Sequence, residues 1–141
     1  MNARRYLLSA MLFCGLSLSV TSAAWAEVSV KQIEGAKTAK ELLELGASKL
    51  TAAQFKSKIV GKKMAGDGWK WTIDTDGTTS SASDDGSWKE EKQPWNMKGD
   101  KYCTAIEGKT KCRDVYMIGK YIRMSDKDSA KKLSPWTAKL K

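Results

Sequence analysis

The side chains in this chain that can do chemistry are carboxylates, lysines, hydroxyls and two closely spaced cysteines; histidine is absent. That absence removes histidine-based nucleophilic triads, most zinc sites and the usual general base near neutrality. Asp74-Thr75-Asp76-Gly77 opens like a calcium loop, but Thr79 stands at the sixth position, where such a loop requires glycine. No metal and no cofactor is therefore expected. Asp84-Asp85 and Glu90-Glu91 are the acids a glycoside hydrolase would draw on, as a pair roughly 5–9.5 Å apart. Adjacent acids on a strand point to opposite faces, however, and Asp-Asp-Gly is ordinary turn chemistry. Ser80, Ser81 and Ser83 have no activating base in view. The leading expectation is a non-enzymatic binding or inhibitor module; a carboxylate-dependent carbohydrate-active hydrolase is the alternative.

Cys103 and Cys112 stand nine residues apart without a CxxC pattern, and read as a structural bridge rather than a redox or metal pair. If Glu107-Gly108 forms a two-residue loop, the pairs 106/109, 105/110, 104/111 and 103/112 follow outward from it. The cysteines then face each other directly, within disulfide reach. Glu tolerates positive φ poorly, so a three- to five-residue loop with a bulge stays open.

Five tryptophans follow residue 26. Exposed, they would offer stacking platforms for a ring; inward, they would fill a small core. Trp69, Trp71 and Trp88 are expected in the core. Trp95, in a Pro/Gly loop near Met97 and Tyr102, is the candidate exposed platform. Trp95, Tyr102, Lys111, Arg113 and Arg123 form the candidate ligand-binding set.

Several elements must position these residues. Residues 1–26 read as a signal peptide: Arg4 and Arg5, an apolar run Tyr6–Val20, then Ala24-Trp25-Ala26 as the cleavage site. The alternatives of general secretion and twin-arginine export stay open. Cleavage after Ala26 leaves 141 − 26 = 115 residues and, with Arg4 and Arg5 gone, changes the net charge from +9 to +7. An exported protein of this kind sits in the periplasm or is secreted, where one cysteine pair is oxidised. Basic charge favours an anionic envelope component or an envelope protein as partner; nothing resembles a nucleic-acid-binding motif, and no stretch is a transmembrane segment.

Residues 27–49 form a polar lead-in and a first helix, started by a Thr38/Glu41 capping box and stopped by Gly46. A domain of one helix and a meander is expected over 50–126. Its helix spans about Ala52–Val60, with a Thr51/Gln54 box and a Leu50/Phe55 staple. Trp69–Asp74 alternates strictly, and turn signals at Asp76-Gly77, Asp85-Gly86 and Gly119 separate further strands. Gln93–Asp100 reads as a loop. The expected fold class is α+β, mainly β: two short N-terminal helices on a curled antiparallel meander of about six strands, half-barrel-like. Residues 127–141 are expected as a basic C-terminal tail.

The chain resembles a family of small exported bacterial proteins of unknown function. The resemblance runs from Leu50 to Trp136 and is carried by six features. These are LTAAQF before Gly61-Lys62, the WKWT strand, the Asp76-Gly77-Thr78 turn, Gly86-Ser87-Trp88, the paired cysteines, and Gly119-Lys120-Tyr121. The chain departs from that pattern at Arg113, where an aromatic residue is usual, and lacks a Trp shortly after the first cysteine. The resemblance implies a compact exported β-domain and no reaction.

Overall fold

The structure, a computed structural model, describes residues 27–106 and 108–141. The expected signal peptide lies outside the described residues. Three short helices precede most of the sheet: α1 (Val30–Gly35), α2 (Ala39–Glu44) and α3 (Ala52–Lys58). Each starts with a capping box, at Ser29/Gln32, Thr38/Glu41 and Thr51/Gln54, which satisfies the amides a helix start leaves open. Gly46 and Gly61 follow α2 and α3 with φ of 96° and 78°, the left-handed conformation that ends a helix at little cost to glycine.

The described residues hold nine strands: β1 (Ser48–Lys49), β2 (Lys63–Gly66), β3 (Trp69–Ile73), β4 (Thr78–Ser83), β5 (Lys89–Lys98), β6 (Lys101–Ile106), β7 (Lys109–Ile118), β8 (Tyr121–Met124) and β9 (Ala138–Leu140). From β2 to β9 every strand pairs antiparallel with its neighbour in sequence, and β9 pairs back onto β2. The sheet is thus a closed eight-stranded up-and-down barrel. β1 lies outside it, on the edge of β7 that β6 leaves free beyond Asp114.

The half-open six-strand expectation is corrected by this closure. Lys63–Gly66, to which no strand was assigned, and Ala138–Leu140, expected within the basic tail, supply the two missing strands through Met64↔Leu140 and Ala65↔Lys139. Each is too short to display alternation, and each is ordered by a partner more than seventy residues away in sequence. Two further corrections are local. A third helix, α1, stands in the polar lead-in, and Gln93–Lys98 is strand rather than loop. Pro94 fits there because β5 exchanges partners beside it: Lys89–Pro94 pair with β4, Trp95–Lys98 with β6. A missing N–H is tolerated at such an irregularity.

Alternation divides the side chains between two clusters. Trp71, Ile73, Tyr102, Val115, Ile122 and Met124 point into the barrel. Phe55 and Ile59 of α3 join them, both fully buried, so α3 plugs one end. Asp100, in the β5–β6 turn at that end, receives the Ala52 amide at 2.8 Å. Outside the wall, Tyr116, Ile118 and Tyr121 pack beneath Ile33, Ala36 and Leu42 of the α1–α2 segment, together with Leu133. Cys103 and Cys112 are directly opposite in the register and form the disulfide. Ile106 pairs with Lys109, which leaves only positions 107 and 108 between the strands.

Candidate functional site

The end of the barrel opposite α3 is open. It is framed by the β2–β3 turn, the β4–β5 turn, the disulfide hairpin and the long β8–β9 connection, residues 125–137. A cavity of about 590 Å³ enters there. This is within the ~300–1,000 Å³ typical of small-molecule sites, and eight strands give an interior that holds one small ligand when side chains do not fill it.

Strand alternation sets the lining. Trp69 and Trp71 come from β3, Thr79 and Ser81 from β4, Tyr102 and Thr104 from β6, Arg113 from β7 and Met124 from β8. Trp88, Glu90 and Trp136 complete the rim. Buried residues form the depths: the Trp71 indole N–H donates to Thr79 Oγ1 at 2.7 Å, and Thr79 in turn donates to the Thr72 carbonyl at 2.8 Å. Trp136 stands edge-on to both Trp69 and Trp71, with ring centroids 5.7 and 5.8 Å away. Trp88 is 45% exposed, the most open large apolar residue at this mouth. The Trp69 ring lies across Gly66, its cross-strand partner, where an added Cβ would come within 2.0 Å of the indole. Gly66 therefore permits the position of Trp69.

Arg113 is the cation of this lining. Burial lowers its pKa, and the carboxylates of Asp126 and Asp128 oppose that shift. Its Nη1 donates to Ser134 Oγ at 3.3 Å, while Nε is buried without a partner among the described residues. The nearby acids are engaged elsewhere. Asp128 accepts from Lys111 Nζ at 2.6 Å, and Asp126 accepts the Asp128 amide at 2.9 Å.

The expected ligand-binding residues are thus divided. Tyr102 and Arg113 meet in the cavity. Trp95 instead packs at the plugged end against Phe55 and Tyr102, its indole N–H on the Asp74 carbonyl at 3.2 Å. Lys111 is tied to Asp128. Arg123 is on the outer wall, only 2% exposed, and donates to the carbonyls of Ile33, Glu34, Ala36 and Ser134. It fastens α1 and the β8–β9 connection to the barrel.

Trp69 and Trp88 belong to the site although core roles were expected of them, and Trp136 joins them from the expected tail. Alternation placed the first on the inner face, but only closure of the barrel shows that this face borders a cavity. Among the described lining residues Glu90 is the one carboxylate. Asp85 is occupied in its turn: the Ser87 amide and hydroxyl, then the Ser83 hydroxyl, hold its pKa down to about 2. Among the described residues no cluster of acids and cysteines suits a metal ion, and no helix is long and apolar enough to cross a membrane. No family model matches the chain, and no match is found among characterised proteins or solved structures.

Proposed function

We propose that this protein is exported, with cleavage after Ala26, and acts as a non-enzymatic binding module whose small ligand sits in the open end of the barrel. The observation that carries the reading is the 590 Å³ cavity walled by Trp69, Trp71, Trp88 and Trp136 around Arg113. Aromatic walls with few fixed polar groups are what small-molecule sites present. The site is also pre-formed: α3 plugs the far end, and a disulfide pins the hairpin at the mouth. A net charge of +7 after cleavage favours an anionic partner from the cell envelope. The carbohydrate-hydrolase alternative needs a second acid facing the first across the ligand, and Glu90 is alone among the described residues of the lining.

The test is a thermal-shift screen of the processed protein against aromatic acids, fatty acids, neutral sugars and wall fragments, with indole fluorescence read in parallel. A ligand that binds only the folded state raises the melting temperature, the more so the further its concentration exceeds Kd. The reading expects at least one class to do so, and expects Trp136→Ala to weaken it. Failure of every class to change either signal overturns the assignment.

A further inference from the structure

The chemical class of the ligand follows from what the cavity offers and what it leaves unsatisfied; this rests on the binding reading above. Trp69, Trp71 and Trp136 present apolar surface in an edge-to-face arrangement, with Trp88 exposed at the rim. Such walls favour a flat or unsaturated body, because rings stack or meet edge-on with indoles beyond what their buried area alone provides. One cation, Arg113, lies among them. Its single hydrogen bond among the described residues, to Ser134 Oγ at 3.3 Å, engages one of its five N–H donors. Its Nε is sealed from solvent without a partner among the described residues, so the donors open to a ligand are on the Nη groups, and burial already disfavours its charge. Asp126 and Asp128, the acids near enough to compensate, hold the β8–β9 connection and Lys111. Glu90, an exposed residue at the rim, makes no ion pair with it. A partly desolvated guanidinium with free donors beside an aromatic wall is a receptor for a planar oxyanion, which it can grip with two parallel bonds.

We infer that the ligand is a small anion with a flat apolar body, an aromatic or polyunsaturated carboxylate, with its acid group on Arg113 and its body against the wall that Trp69, Trp71 and Trp136 form together. The hydroxyls of Thr104 and Ser81 and the amide of Gln93 line the same space and supply the polar contacts left over for ring substituents. The size fits: a two-ring acid is accommodated within 590 Å³, with Trp88 at the rim.

The experiment compares three matched probes on the parent protein: naphthoate, its neutral amide naphthamide, and the naphthylmethylammonium cation. Dissociation constants are read from indole quenching, at low salt and at physiological salt. Replacing a charged hydrogen-bonded pair by a neutral one corresponds to at least about a tenfold loss of affinity. Naphthoate is expected tightest, naphthamide at least about tenfold weaker, and the cation weaker still. In Arg113→Gln the preference for naphthoate collapses while naphthamide affinity is kept, which a merely misfolded variant would not do. Arg113→Lys restores part of the preference. Equal affinity for naphthoate and naphthamide in the parent overturns the anion assignment yet leaves the cavity a binding site. No binding of any probe overturns this inference, and the wider screen described above then decides the binding reading separately.

Discussion

Arg123 is expected to be the most consequential basic residue for stability. Arg123 is 2% exposed, and its guanidinium donates to four carbonyls: those of Ile33, Glu34 and Ala36 at the end of α1, and that of Ser134 in the β8–β9 connection. The Glu34 contact is long, at 3.4 Å, so three bonds carry most of the effect. Replacing Arg123 with Met keeps the volume and leaves those carbonyls facing a dry site. Each orphaned acceptor costs about 1–3 kcal/mol, and relief of the arginine's own desolvation returns part of this. The net loss is therefore roughly 3–5 kcal/mol, from three orphaned acceptors less the arginine's own desolvation. For a domain of this length that lowers Tm by roughly 10–25 °C. Arg123→Lys keeps a charge but cannot span carbonyls on two segments, and is expected to lose at least half as much. Circular-dichroism melts of both variants measure the loss. Amide exchange locates it, with α1 amides accelerating first because their attachment is what the arginine provides. A Met variant melting within about 2 °C of the parent would refute the assignment of Arg123 as the clamp.

Four other outcomes follow from the packing. Trp71→Ala is expected to cost about 3 kcal/mol, the low end for a buried tryptophan because it borders an open cavity, and melts against the parent check it. Gly66→Ala forces the Trp69 ring aside; fluorescence and naphthoate affinity are expected to change together, while a variant indistinguishable in both would remove Gly66 as the support of that ring. Asp114 is buried, which raises its pKa, but hydrogen bonds from Lys49 and Lys101 outweigh this and leave it below the usual carboxylate value. Its contribution is present above its unfolded pKa and lost as pH falls through its lower folded value, so Tm should drop below about pH 4. Asp114→Asn is expected to flatten that acid limb and to cost roughly 1–2 kcal/mol at neutral pH, after screening around half-exposed lysines is allowed for. Alkylation of protein from an oxidising compartment should find no free thiol before reduction and two after it, and loss of the Cys103–Cys112 bridge should cost roughly 2–3 kcal/mol.

Local signals in the chain were readable wherever the cause was local. The Thr38 and Thr51 capping boxes, the alternating Trp69–Ile73 run and the cysteine register all depend on neighbours a few residues away, and all stand where expected. Ser29 with Gln32 is a third box of the same kind, and could have revealed α1. Closure was not readable. Lys63–Gly66 and Ala138–Leu140 are four and three residues long, and their strand character comes from pairing with each other. Missing them left the meander open and the inner face a presumed core. For the same reason Arg113 and Arg123 looked alike: both are arginines on neighbouring strands, yet one faces the barrel interior and the other is sealed against α1. Alternation fixes which faces differ, but only the position of the helices shows which face holds the cavity.

A ligand of this barrel enters by the open mouth and not by the plugged end if the proposed site is right. The direct measurement is a titration of the processed, isotope-labelled protein with naphthoate, following the indole N–H signals of its five tryptophans by NMR. Saturable shifts are expected at Trp69, Trp88 and Trp136, a smaller one at Trp71 because its N–H stays on Thr79, and none at Trp95, which is held on Asp74 beside Phe55. Saturable shifts confined to Trp95, or five signals unmoved through the titration, would contradict the proposed site.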